Sequence, residues 1–227
     1  MHDVDLSQRA AGVGALADAT RRDLYEYVAS QAGPVGREEA ARALGLPRHT
    51  ASFHLDRLVE VGLLATEYRR LTGRTGPGAG RPSKLYRRAD QEWTVSLPDR
   101  RYDLVGGILA RGVETARAGG STIDEAVEGA ATEAGVAVGR RARRRRDALV
   151  RLADALADHG FEPRVDGETV VLANCPFDAL AREHTALVCG LNQHFVQGVA
   201  DGAGCAGVTA HLEPEPGLCC VKARRDR

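Results

Sequence analysis

The sequence lacks the features that attach a protein to a membrane or export it, and it lacks common enzyme motifs. No apolar run reaches the ~18 residues of a transmembrane helix, and the first ten residues, MHDVDLSQRA, have no signal-peptide core. There is no C-x-x-C pair, no glycine-rich nucleotide loop and no G-x-S-x-G elbow. We therefore expect a cytoplasmic protein that is not an enzyme and has no membrane partner.

Cysteine is missing from the first 174 residues, and all five cysteines follow within the last quarter. Thiols stay reduced in the cytoplasm, so grouped cysteines there suggest metal binding or redox chemistry before structural disulfides. The net charge of zero hides an uneven distribution: residues 66–90 carry seven basic against two acidic residues, and residues 150–219 carry ten acids against three arginines. The basic segment predicts a local site for a polyanion.

The first 90 residues follow a helical pattern that ends in a hairpin. Apolar residues at helical spacing mark helices within 6–31, in REEAARALGLP and in RHTASFHLDRLVEVGLL, where Gly62 ends the helix. The strand-like ends ATEYRRL and SKLYRRA then flank the basic loop TGRTGPGAGRP. Three helices followed by a basic hairpin predict a winged helix-turn-helix domain over 1–90.

The remaining residues predict a linker over 91–101 and an α+β sensor or dimerisation domain over 102–227. Helices are expected at 102–119, 122–138 and 139–159, and a hairpin at 161–174 turns at Asp166-Gly167. A helical region over 176–201 precedes a second hairpin that turns at PEPG. The predicted fold class is therefore α+β, mostly α. The arginine run GRRARRRR (139–146) either extends a DNA contact or is the solvated start of a helix.

Polar and basic side chains in the third helix and the hairpin are the candidate DNA contacts. Short hydrogen-bonding groups at the start of such a helix can reach base edges in the major groove, and hairpin arginines suit phosphates or the minor groove. The predicted DNA-binding residues are Arg48, His49, Thr50, Ser52, Phe53, His54, Arg57, Arg70, Arg74, Arg81 and Lys84.

The segments DATRRDLYEYV, HTASFHLDRLVEVGLL and GRPSKLYRRA resemble the winged-helix repressors of the ArsR type. Within that group, the resemblance extends to bacterial regulators that include the repressors of iron–sulfur-cluster-assembly (Suf) operons. It covers about residues 14–90 and implies a homodimer that reads an inverted repeat in double-stranded DNA, with one recognition helix for each half-site.

The cysteine spacing by itself is a weak metal signal. Cys175 precedes Pro176, which predicts a helix N-cap that favours a thiolate. If residues 175–189 formed one straight helix, Cys175 and Cys189 would lie ~21 Å apart, too far for a shared site. A shared site therefore requires a break. Because Thr185 can cap a new helix, we predict helices over 176–183 and from Ala186 to about Ala200, with a turn between them.

The pattern NCPF, LAREH, VC and a final CCV also resembles the C-terminal cysteines of the Suf repressors. That resemblance implies an iron–sulfur cluster on Cys175, Cys189 and Cys220, with Cys205 as the doubtful ligand. Cys219 and Cys220 would face opposite sides of a strand, so only one of them can serve a given site. The resemblance favours Cys220 before Val221, which leaves Cys219 either facing the core or as a spare thiol. Zinc is the second candidate metal, with His184, His194 and His211 as fallback ligands. Without a metal, the cysteines would form a thiol redox switch or be structural in a domain that binds a small organic effector.

Overall fold

The computed structural model of the chain describes residues 6–70 and 82–226. Nine helices and two small antiparallel sheets make up the described part, which confirms the α+β class. The chain divides into two compact units, with the boundary between Val95 and Ser96. No helix among the described residues is long and apolar enough to cross a bilayer.

The N-terminal unit contains four helices and one sheet in which the strands are ordered β1-β3-β2. Its core includes Leu24 and Val28 of the second helix and Leu55 and Leu58 of the fourth, together with alanines of the third helix and Tyr86 from the sheet. The elements are α1 (Leu6–Ala15), α2 (Ala19–Ser30), β1 (Val35–Gly36), α3 (Arg37–Ala43), α4 (Arg48–Glu60), β2 (Leu64–Arg69) and β3 (Ser83–Arg88).

Local signals explain where these helices begin and end. The segment 6–31 forms two helices because the Asp18 carboxylate accepts the backbone N–H of Arg21 at 2.9 Å and starts α2. At the other end of the domain, Gly62 adopts a φ of +80° directly after α4, as the sequence predicted. Strands β2 and β3 pair in antiparallel register from Leu64 opposite Arg88 to Arg69 opposite Ser83.

Part of the segment expected to be a linker is packed. Trp93 donates its indole N–H to the carbonyl of Gly62 at 3.3 Å, and its ring covers Gly12 so closely that a Cβ there would lie 2.5 Å from it. Residues 91–95 therefore belong to the N-terminal unit, and the following residues belong to the C-terminal unit.

The C-terminal unit packs five helices against a four-stranded sheet of order β4-β5-β7-β6, which joins the two expected hairpins. Gly167, at the predicted turn of the first hairpin, has a φ of +56°. The elements are α5 (Tyr102–Ala118), α6 (Ile123–Gly139), α7 (Ala148–Ala157), β4 (Pro163–Asp166), β5 (Thr169–Leu172), α8 (Asp178–Glu183), α9 (Thr185–Gly202), β6 (Val208–Leu212) and β7 (Val221–Arg225).

The expectation of one helix over 139–159 is wrong. Helix α6 continues to Gly139, and α7 begins only at Ala148. Asp147 causes the restart, because its carboxylate accepts the N–H groups of Leu149 and Val150 at 2.8 and 3.1 Å. The arginines between the two helices form a loop, which avoids stacking like charges at the positive end of a helix dipole.

Helices α6 and α9 contact each other through glycines. A Cβ at Gly135 would lie 2.2 Å from the carbonyl oxygen of Phe195, and a Cβ at Gly198 would lie 2.3 Å from that of Thr132. Gly139 and Gly202 repeat this arrangement one turn further along their helices. Because the obstructing atoms belong to the backbone, they cannot move aside as a side chain could.

We predict that Gly135→Ala destabilises the protein, since overpacking of a tight contact costs about 1–3 kcal/mol. Gly129→Ala is the matched control, because Gly129 lies in the same helix with open space at its Cβ position. The control should raise the free energy of unfolding by ~0.5–1 kcal/mol. Urea titrations of both variants measure the difference, and equal stability of the two would contradict the close contact.

Candidate functional site

Helix α4 buries one face and exposes another that carries predicted DNA contacts. Ala51, Leu55 and Leu58 are fully buried. On the opposite side, His49, Phe53 and Arg57 follow one another at four-residue spacing and are exposed. The Phe53 side chain is 66% exposed, which is unusual for a large apolar residue on a helix surface. Such a face can enter a groove that holds both polar base edges and thymine methyl groups.

Two exposed arginines of α4 already form ion pairs, and the other predicted residues of this helix are less accessible. Arg48 forms an ion pair with Glu38 at 3.0 Å, and Arg57 forms one with Glu60 at 2.8 Å. Both pairs are well exposed, so they contribute little to stability and can exchange for phosphate oxygens. Three further residues, Thr50, Ser52 and His54, lie closer to the core side of the helix. Thr50 and Ser52 are half-buried, and the Nδ1 atom of His54 is buried.

An ionic network fixes the hairpin to α4. Asp56 accepts hydrogen bonds from the Lys84 ammonium at 2.6 Å and the Tyr86 hydroxyl at 2.7 Å. Burial alone would raise the pKa of Asp56, but these two hydrogen bonds outweigh it and lower the pKa. Lys84, a predicted phosphate contact, is thus also a positioning residue that sets the orientation of β3 on the helix.

The predicted hairpin arginines lie at or beyond the limit of the described chain. Arg70 is exposed directly after β2. Arg74 and Arg81 lie outside the described residues, so their role as DNA contacts stays a prediction.

A second candidate site lies in the C-terminal unit, around Cys175. The Asn174 amide donates to the carbonyl of Gly160 at 2.6 Å, and its side-chain oxygen accepts a hydrogen bond from Arg100 at 2.5 Å. Arg100 also donates to the Cys175 carbonyl at 3.3 Å. Next to these residues, Phe177 packs fully buried against Phe161, with ring centroids 6.0 Å apart. The backbone around Cys175 is therefore held firmly.

Cys175 is not the helix N-cap that the sequence predicted. Helix α8 begins at Asp178, with Phe177 in the N-cap position. The predicted break after α8 is confirmed: the helix ends at Glu183, and α9 begins at Thr185. Thr185 does not cap α9, since its hydroxyl donates back to the carbonyl of Ala181 at 2.7 Å. Because of this break, no single continuous helix joins Cys175 to Cys189.

Cys219 and Cys220 do not lie on a strand, because β7 begins at Val221. The alternation of faces expected for strand residues therefore does not apply to them. The backbone N–H of Cys219 donates to the carbonyl of Leu172 at 2.8 Å, which fixes this segment beside β5. Cys219 is buried and Cys220 is half-buried.

Four cysteines from three separate segments are linked in pairs through their effects on one another's pKa values. Cys175 interacts with Cys219, Cys219 with Cys220, and Cys220 with Cys189. The neighbouring Cys219 thiol and burial together raise the pKa of Cys175. Burial also raises the pKa of Cys189. We call Cys175, Cys189, Cys219 and Cys220 the thiol group.

The pKa of Cys219 is raised to about 11. Its interaction with Cys175 lowers the pKa, but Cys220 and burial raise it by more. Such thiols are protonated at neutral pH, so a thiolate-binding metal would displace protons from this group.

A buried amide is adjacent to the thiol group. Asn192 is fully buried on α9, and its Nδ2 donates to the sulfur of Cys219 at 3.2 Å. Its Oδ1 has no hydrogen-bond partner among the described residues. An amide N–H directed at sulfur favours a negatively charged sulfur, as in a thiolate or a metal-bound cysteine. The sequence did not single out Asn192, because a lone asparagine in an apolar helix carries no motif.

The structure does not bring Cys205 to the thiol group. Its sulfur donates to the carbonyl of Ala148 at 3.2 Å, and burial raises its pKa. Cys205 follows the C-terminal end of α9, whereas Cys189 lies in the first turns of that helix. The stretch of α9 from Cys189 to Gly202 spans about 20 Å along the helix axis, which excludes a shared site.

The thiol group matches an iron–sulfur cluster in the type and number of its donors, which are four cysteines. As the side chains stand, however, no three Cys, His, Asp or Glu residues in the described ranges are arranged to hold a metal ion. The thiols instead interact in pairs along a chain. Cluster binding would therefore require side-chain rearrangement and loss of the thiol protons.

Comparison with known proteins supports the N-terminal assignment. Residues 16–67 match the family described as "Helix-turn-helix domain". This range runs from the end of α1 into β2 and includes the exposed face of α4. The match supports a helix-turn-helix domain of the ArsR or winged-helix kind, and hence a DNA-binding transcription regulator. No curated protein and no solved structure matches the chain significantly.

We predict that thiol burial sets the order of alkylation. Iodoacetamide should modify the half-buried Cys189 at least about tenfold faster than the buried Cys205 and Cys219, because buried thiols react only after local opening. Peptide mass spectrometry of the reduced, folded protein measures the rates, and urea-unfolded protein is the control. Equal rates for these three thiols before unfolding would contradict their placement.

Proposed function

We propose that the chain is a homodimeric winged-helix repressor that binds an inverted-repeat operator and responds to iron–sulfur or redox status through the thiol group. The observation that carries the sensing part is the fully buried Asn192 amide, which donates to the sulfur of Cys219 at 3.2 Å. The pKa values of Cys175, Cys189 and Cys219, from three segments, also depend on neighbouring thiols. The exposed face of α4 and the helix-turn-helix match support the DNA-binding part.

In this proposal α4 is the recognition helix and the β2–β3 hairpin is the wing. His49 supplies a hydrogen-bonding group to base edges, and Phe53 contacts a thymine methyl group. Arg48 and Arg57 bind phosphates after their exposed ion pairs with glutamate open. Two such helices in a dimer would read half-sites about one helical turn apart.

Cys175, Cys189, Cys219 and Cys220 would hold the cluster, and Asn192 would donate a hydrogen bond to one of its sulfur ligands. A bound cluster would link the three segments. The presence of this link would depend on the supply of iron and on oxygen. The residues of this chain do the remainder: Arg100 and Asn174 hold the Cys175 segment, and the break at His184 orients the start of α9. Loss of the link would shift the balance between two arrangements of these segments.

A second candidate is a thiol redox switch without a cluster. The interaction between Cys175 and Cys219 favours it, because two neighbouring thiols can form a disulfide when an oxidant such as hydrogen peroxide accepts the two electrons. If neither a cluster nor a disulfide forms, the thiols are structural and the C-terminal unit binds a small organic effector.

We predict that Phe53→Ala weakens binding to an operator selected from a random duplex pool by about fivefold or more, since the loss of one base contact costs ~1–3 kcal/mol. Thermal stability should not change, because the side chain is exposed. Ser30→Ala, at the exposed end of α2, is the control and should bind as the wild type does. If Phe53→Ala bound the operator as tightly as the wild type does, α4 would not be the recognition helix in the way we propose.

We further predict that anaerobic reconstitution with iron and sulfide gives a brown protein with stoichiometric iron and sulfide. Cys219→Ser should lose most of the bound iron. Cys205→Ser, a buried cysteine of the same unit outside the thiol group, should retain it. A colourless wild type would reject the cluster and favour the redox or effector candidates. Equal loss in both variants would reject the ligand assignment.

A further inference from the structure

The loop between α6 and α7 carries the densest positive charge of the C-terminal unit. We call residues 140–147 the arginine loop. It contains six arginines, at positions 140, 141 and 143 to 146. All six are exposed.

The arginine loop is anchored to the fold at several points. Arg151 of α7 donates to the carbonyl of Arg145 at 2.9 Å and to that of Ala203 at 2.8 Å. Arg145 itself forms an ion pair with Asp154 at 2.6 Å, and Ala142 packs partly buried against the core. These contacts fix the backbone, so the arginines around them project from a defined position.

The remaining five arginines have no ion pair among the described residues. Several other arginines of this unit pair with nearby carboxylates, as Arg182 does with Asp178 and Arg224 with Glu213. Exposed arginines that have no ion pair within the described ranges, such as Arg111 and Arg164, are single and far apart in the sequence, whereas those of the loop are consecutive or nearly so. Two carboxylates in or next to the arginine loop already have partners. Asp154 pairs with Arg145, and Asp147 pairs with Arg225 and caps α7. The described structure therefore leaves a concentrated positive charge without a partner.

Helix dipoles account for only part of this charge. Arg140 and Arg141 follow the C-terminal end of α6, where positive charge is favourable. Arg143, Arg144 and Arg146 instead precede the N-terminal end of α7, where positive charge is unfavourable. These three arginines have neither an ion pair nor a favourable dipole in the described structure.

We propose that the arginine loop is a second, sequence-independent contact with the phosphate backbone of duplex DNA. Guanidinium groups bind phosphates through paired hydrogen bonds, and closely spaced arginines suit a polymer with one charge every few ångströms. Duplex DNA is the polyanion that a helix-turn-helix regulator already binds, so this inference rests on the proposed function. The loop adds affinity and salt dependence but reads no bases.

The test measures how the affinity for a mixed-sequence DNA duplex, about 40 base pairs long, depends on salt. The loop variant is Arg143→Gln/Arg144→Gln/Arg146→Gln. The matched control is Arg111→Gln/Arg117→Gln/Arg164→Gln, which removes the same charge from exposed positions of the same unit. Thermal unfolding checks that both variants stay folded.

For each protomer bound to the duplex, we expect the loop variant to reduce the slope of log K against log salt concentration by about 2.7, or ~0.9 for each phosphate contact. Between about 50 and 200 mM salt, the loss of affinity should then be roughly 40-fold smaller for each bound protomer than in the wild type. The control should keep a slope closer to that of the wild type.

Two outcomes would overturn the inference, and they differ in what they imply. If the loop variant and the control have equal slopes while the wild type binds DNA and Phe53→Ala weakens operator binding, the loop faces another partner and the proposed function stands. If the wild type binds neither operator nor mixed-sequence DNA, the proposed function fails together with the inference.

Discussion

Helices α6 and α9 approach so closely that glycine backbones form their contact, and the C-terminal unit depends on this approach. Helix α9 carries both Cys189 and Asn192, and it also holds the sheet: Gln197 accepts the N–H of Ala210 at 2.8 Å. A side chain at Gly198 would collide with the backbone of α6, and the hydrogen bond from Ala210 to Gln197 couples strand β6 to α9. The position of Cys189 therefore depends on the glycines at the contact between α6 and α9, which carry no side chain.

The three segments that carry the thiol group are each held by contacts that do not involve sulfur. Arg100 and Asn174 hold the first, the α6 contact holds the second, and a hydrogen bond from Cys219 to Leu172 holds the third. A ligand on the thiols would thus act on a scaffold that is already formed. It can change the regulator only through a difference in affinity between two arrangements of these segments.

Local rules predicted the features that depend on neighbouring residues. The turn at Gly167 and the end of α4 at Gly62 follow from the glycine preference for a positive φ. The break between α8 and α9 lies where the sequence predicted it, but Thr185 does not cap α9, so the expected cause of the break is wrong. The prediction of one helix over 139–159 is wrong because it missed the local N-cap signal of Asp147 inside an apparently continuous helical pattern. The packing of Trp93 in the segment 91–101 depends on a tertiary contact with Gly62, which the sequence pattern does not encode. The choice of Cys219 over Cys205 depends on which chain segments meet, which spacing does not encode.

We propose that the state of the thiol group controls DNA binding. A titration of the selected operator tests this with one protein preparation, once loaded with an iron–sulfur cluster and once metal-free and reduced. We expect the two affinities to differ by at least about fivefold, the lower limit of usual allosteric coupling. Identical affinities, with iron and sulfide analysis showing the cluster present throughout the loaded titration, would contradict it.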